Sequence, residues 1–111
     1  MKSHTNIPQS KKLAEILPLE SADMSFVEKG NAKCTWYDAE NKRITTAYEK
    51  KYYVPCWSLA ALLAQMPCVE LVSSQDNHYR TFWHDMYSEW HESAVDACVE
   101  LLLRARKEEE Q

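Results

Sequence analysis

Glycine is nearly absent: the chain has 111 residues and one glycine, Gly30. A loop that cradles phosphate needs several glycines, so that backbone N–H groups can close on the anion. Walker and Rossmann nucleotide sites are therefore excluded. So is the G-x-S-x-G turn that presents a nucleophilic serine. Paired thiols are missing as well. The four cysteines, Cys34, Cys56, Cys68 and Cys98, contain no C-x-x-C. The opening MKSHTNIPQSKK has no apolar segment of the secretory kind. Free thiols in a cytoplasmic protein are the reading that follows. No apolar run approaches the ~20 residues that a membrane-spanning helix needs.

Charge of one sign is also lacking. Thirteen basic residues against seventeen acidic ones leave a net charge of −4. The cations are scattered as Lys11–Lys12, Lys50–Lys51 and Arg104–Arg106–Lys107. A nucleic-acid surface shows a basic patch, so DNA and RNA are disfavoured. The acidity is too slight for a nucleic-acid mimic.

What is present is ordinary globular composition, 45% hydrophobic and 27% charged. The length fits one domain over residues 1–111, which buries roughly two thirds of its unfolded surface. Residues 1–6 and 107–111 are expected to be mobile ends.

IPQSKKLAEILP predicts a first helix. Pro8 suits its first turn, Leu13, Ile16 and Leu17 share one face, and Pro18 stops it. Met24–Glu28, Lys33–Asp38 and Arg43–Tyr48 have strand propensity. The last two form a hairpin across the turn-rich DAENK. CVELVSS and HYRTFWHD predict a second hairpin around Gln75–Asn77. SAVDACVELLLRARK predicts the final helix, with an S-x-x-D start and cations in the last turn.

Between the hairpins lies YVPCWSLAALLAQMP. From Trp57 to Met66 only Ser58 and Gln65 are polar, and they fall on one narrow stripe of a helical wheel. That pattern predicts a largely buried central helix, 55–66, with Pro55 at its first position. The element order reads as an α+β fold. The expected form is a single two-layer domain, with three helices packed on an antiparallel sheet of about four to five strands. The apolar arc of the final helix spans roughly 200°, wider than a core-facing stripe. It suits packing on both the sheet and the central helix, or cover by a second copy.

Several residues have the chemistry of a site. Cys56, placed at a helix N-terminus, would have a lowered thiol pKa, although no basic partner is visible and buried cysteines are usually inert. His78, His84 and His91 with Asp85 and Glu89 match no zinc spacing, so ordinary hydrogen-bonded histidines are favoured. Glu92, Asp96 and Glu100 recur at i,i+4,i+8, which most often marks a solvated face. Four Trp, six Tyr and two Phe are more aromatics than alternating strands can all turn inward. The surplus points to a contact surface.

QSKKLAEILPLESADM, VPCWSLAALLAQMP and VDACVELLLRARK together resemble a group of short uncharacterised proteins of gut bacteria, their prophages and mobile elements. Three segments carry the resemblance. They are Ser21–Met24 (SADM), Pro55–Pro67 (P-x-W-S-L-x-x-L-L-x-x-M-P) and Asp96–Leu103 (DA-x-x-x-L-L). The resemblance implies a bacterial or phage origin and a cytoplasmic setting, and brings no activity with it. The expected function is a non-enzymatic accessory protein of a phage or mobile element, acting through protein–protein contacts, with itself (a homodimer) among the candidate partners. No catalytic residue, cofactor, metal or membrane partner is assigned. The alternative is a small-molecule binder or enzyme with an aromatic-lined pocket near Trp57, Trp83 and Trp90, using Cys56 or the pair His84 and His91. Nucleic-acid binding is the third and weakest reading.

Overall fold

A computed structural model describes residues 2–27, 35–38, 40, 42–45 and 53–109. In chain order the elements are α1 (Ile7–Ala14), a 3-10 turn (Leu19–Ser21), β1 (Met24–Val27), β2 (Thr35–Tyr37), β3 (Arg43–Thr45), β4 (Tyr53–Cys56), α2 (Leu59–Ala64), β5 (Glu70–Ser73), β6 (Tyr79–Trp83), β7 (Met86–Tyr87) and α3 (Ala94–Glu109). The architecture is α+β with three helices, as expected. The strands do not make one sheet of four to five. They make two antiparallel sheets, ordered β2-β3-β1-β4 and β5-β6-β7. The segment holding α2 intervenes between β4 and β5 and carries the chain from one sheet to the other.

The first sheet is built around β1, whose four residues are all buried. Phe26 lies opposite Ile44 on one side and Val54 on the other. Met24, Phe26, Ile44 and Cys56 form a small core of their own. The β2–β3 turn has no glycine. Asp38 holds it instead, its carboxylate accepting the N–H groups of Glu40 at 3.0 Å and Lys42 at 2.8 Å. This is the local bonding that makes Asp a turn residue. The expected extensions of these strands, Glu28, Lys33–Cys34 and Thr46–Tyr48, lie outside the described residues.

The central helix 55–66 is corrected. Its first residues are strand β4, with Pro55 opposite Ser25. Proline forces the preceding residue toward extended backbone and is tolerated at a sheet edge. The helix begins only after Ser58, which caps it by accepting the Ala61 N–H at 3.2 Å. Ser58 is itself fixed by Asp23, which takes both its N–H and its hydroxyl. Within α2 only Leu62 is buried, while Ala60 and Ala64 face solvent. The segment's other fully buried apolar residues lie outside the helix, Cys56 and Trp57 before it and Met66 after it.

Residues 2–5, given from sequence to a mobile end, are hydrogen-bonded to the body of the protein. Thr5 N–H donates to the Trp57 carbonyl at 3.0 Å and Leu59 N–H to the Ser3 carbonyl at 3.1 Å, with His4 bridged to Ser58. Lys2 Nζ lies 2.6 Å from Asp96 of α3.

In the second sheet, β6 and β7 are joined by the two-residue turn His84–Asp85, with φ of 51° and 60°. Two consecutive left-handed residues are what a type I′ hairpin requires. The inner face of this sheet packs on α3, where the Thr81 hydroxyl donates to the Ala97 carbonyl at 2.8 Å. On α3, Ser93 caps the Asp96 N–H at 3.0 Å. Val95, Cys98, Val99, Leu101 and Leu102 join Leu13, Trp57, Leu62 and Met66 in the main core. The wide apolar arc is thus filled from within the chain, by β6 on one flank and α2 on the other.

Candidate functional site

Side chains alternate across a strand, so β6 divides cleanly. Thr81, with Tyr79 and Trp83, faces α3, and Arg80 and Phe82 face outward. Register adds Val72 opposite Arg80, and Glu70 and Tyr87 opposite Phe82. The Phe82 and Tyr87 rings lie 4.5 Å apart.

A bulge completes this face. Ser88 N–H donates to the Thr81 carbonyl, and His91 exchanges both backbone bonds with Tyr79. Between those two points the returning chain has two residues, Glu89 and Trp90, against the single Arg80. The extra residue redirects a side chain, as bulges do, and Trp90 comes to lie over Arg80. The guanidinium carbon is 4.9 Å from the centroid of the Trp90 ring and 4.9 Å from that of Tyr87. Arg80 Nε donates to the Ser88 carbonyl at 2.9 Å. Its two terminal nitrogens have no partner among the described residues, and no unpartnered side-chain N or O there is buried, so they reach solvent. Tyr87 is 55% exposed and Trp90 44%.

The ridge of Glu92, Asp96 and Glu100 is more than a solvated face. Glu100 braces the bulge from behind. It accepts Glu89 N–H at 3.0 Å, meets His91 Nε2 at 2.9 Å and pairs with Arg104 at 2.9 Å. Arg104 also donates to the Tyr87 carbonyl at 2.7 Å. Burial pushes the Glu100 carboxyl up, but the bonds from His91, Glu89 and Arg104 outweigh it and hold the group below its ordinary value. Asp96 is likewise raised by burial and lowered further by Lys2, Gln9 and Ser93.

The residues proposed from sequence do not gather in one pocket. Cys56 ends a strand rather than starting a helix. It is fully buried, and Sγ donates to the Thr5 carbonyl at 3.5 Å. Burial pushes its thiol up to about 12, the opposite of an activated nucleophile. Trp57 is 0% exposed, and its indole N–H donates to Ser21 Oγ at 2.9 Å. Trp83 packs against the same core and donates to the Pro67 carbonyl at 3.0 Å. Trp90 is on the other side of the sheet. His84 stacks on Trp83 at one end of β6, with centroids 4.1 Å apart, and His91 is bridged to Tyr79 at the other end. Among the described residues, no three His, Cys, Asp or Glu side chains are placed to hold a metal.

A second polar constellation escaped the sequence reading. His4 Nε2 lies 3.1 Å from Asp38 Oδ2, and its Nδ1 lies 3.0 Å from Ser3 Oγ. The Phe26 ring meets His4 edge-on at 5.9 Å. Burial raises the Asp38 carboxyl, while the Lys42 N–H, His4 and the Glu40 N–H lower it more, so it stays ionised. The carboxylate makes Nε2 the donor nitrogen of that pair. The set pins the N-terminal segment to the β2–β3 turn. No local signal marks it, because His4 and Asp38 are far apart in sequence. Arg80 was not singled out from sequence either, although the alternation of HYRTFWHD sets it opposite Tyr79, Thr81 and Trp83.

Comparison with known proteins finds no family model, no curated protein and no solved structure that matches the chain.

Proposed function

We propose that the protein is a non-enzymatic binding module that works through protein–protein contacts, with the outer face of the second sheet as its contact surface. The observation that supports this reading is Arg80 packed against the exposed rings of both Tyr87 and Trp90. Tyr, Trp and Arg are the residues enriched among binding hot spots. Here the arginine is already ordered by the Ser88 carbonyl, so less side-chain freedom is lost on association. A cytoplasmic setting is part of the proposal, supported by the unpaired thiols of Cys56, Cys68 and Cys98. None of the described helices is long and apolar enough to cross a membrane. The phage or mobile-element role is supported by the resemblance of Ser21–Met24, Pro55–Pro67 and Asp96–Leu103 alone.

The test is site-specific photo-crosslinking in the native cells, with benzoylphenylalanine at Tyr87 and, as control, at Lys11 on α1. A discrete adduct from Tyr87 alone, lost in an Arg80→Ala/Trp90→Ala variant with an unchanged melting curve, is expected. The same adducts from both positions, or none from either, would overturn the reading. An adduct of twice the chain mass would identify the partner as a second copy.

A further inference from the structure

We infer that the occupant of this face is a peptide segment of a partner protein that presents one carboxylate beside an apolar side chain. This rests on the contact-surface reading above and adds the chemistry of the ligand. The guanidinium carbon lies 4.9 Å from the centroids of both the Tyr87 and the Trp90 rings, and Nε is taken by the Ser88 carbonyl. Its two terminal N–H₂ groups remain as donors, which no described residue takes and which reach solvent. Such a fork matches the two oxygens of a carboxylate in the same plane.

The neighbours narrow the choice. Arg104, the other cation next to this strand, is committed to Glu100 and to the Tyr87 carbonyl, so Arg80 is the charge on offer. Around it stand Val72, 40% exposed, with Phe82, Tyr87 and Trp90, a surface for an apolar companion side chain. Glu70 shares the face by register and Glu89 sits in the bulge. Two carboxylates beside one arginine, in a chain of net charge −4, repel a run of negative charge. A single carboxylate is accommodated where a polyanion such as RNA is not.

The experiment uses the full chain labelled with 5-fluorotryptophan, with the Trp90 resonance assigned through Trp90→Phe. The probes are acetyl-Leu-Glu-Leu-amide, acetyl-Leu-Gln-Leu-amide and an oligothymidylate. The glutamate peptide should shift the Trp90 signal saturably at millimolar concentration, and the glutamine peptide should bind roughly tenfold or more weakly. Arg80→Lys, which keeps the charge but not the fork, should lose that discrimination while its melting curve stays unchanged. Equal response to the two peptides, a stronger response to the oligothymidylate, or no Trp90 response to the glutamate peptide would each overturn the inference. In those cases a surviving crosslink from Tyr87 would leave the contact-surface reading standing, whereas loss of the crosslink would remove both.

Discussion

The two sheets use polar side chains in opposite ways. Around the first sheet they are turned inward and saturated. The Thr5 hydroxyl lies 2.7 Å from Ser10 Oγ and 3.6 Å from Cys56 Sγ, and accepts the Trp57 N–H at 3.2 Å. Thr5, Ser10, Ser25 and Thr45 are all buried. At the second sheet the polar residues inside, Thr81 and Ser88, tie the bulge to β6 and β6 to α3, and the arginine above them keeps its two terminal nitrogens free. Both regions obey the rule that buried polar groups find partners. They differ in what the satisfied groups hold in place: a closed junction in one, a displayed side chain in the other.

The two tryptophans give the largest test of that difference. Trp57→Ala should destabilise the fold by about 3–5 kcal/mol, because a fully buried ring leaves a cavity. Trp90→Ala should cost less than ~1 kcal/mol. Urea unfolding of the two variants measures both, and similar losses would break the contrast. Next comes Thr5→Val, which strands the Trp57 N–H and should cost about 1–3 kcal/mol. Arg80→Ala, which gives up a single bond to the Ser88 carbonyl from a half-buried side chain, should stay below ~1 kcal/mol.

Acid should act both on the junctions, through Asp38 and Asp96, and on the brace behind the display, through Glu100. The folded-state pKa values of Asp38, Asp96 and Glu100 are lowered from 3.8, 3.8 and 4.5. Their contribution is therefore fully present above those values and is lost as pH falls through the lower folded ones. Melting temperature should hold steady from neutral pH down to the carboxylate range and decline below it. Asp96→Asn, which loosens the tie to Lys2, should flatten part of that decline. The smallest effect is expected at the β6–β7 turn. Asp85→Gly relieves a left-handed backbone at φ 60° and should raise stability by up to ~1 kcal/mol, offset in part by glycine's greater freedom when unfolded.

These contrasts bear on what sequence pattern can reveal. Local periodicity located α3, both hairpins and β1, since each is marked by its own residues. It failed at YVPCWSLAALLAQMP, where apolar residues serve three successive elements. A wheel drawn through Trp57–Met66 runs across the Ser58 cap, and proline is as much at home in an edge strand as in a first helical turn. It failed too at His84–Asp85, which form a turn usually signalled by Asn-Gly. The candidate site was half legible. Alternation puts Arg80 outward, but Trp90 reaches it through a bulge that only the paired strand defines. Cys56 and Trp57 looked like a site because they are adjacent and unusual, and they prove to be core.

The N-terminal strap has a consequence for synthesis. Lys2 is bound to Asp96, 94 positions away, and residues 3–5 wait for 57–59. A ribosome makes residues 2–5 long before their partners exist, so this segment is among the last to be placed. Such distant pairings slow folding. A fragment that stops short of α3 lacks both the tie to Lys2 and the arc that fills the main core, which leaves Leu13 and Trp57 without cover. Translation that pauses there would expose a sticky intermediate of the kind chaperones hold.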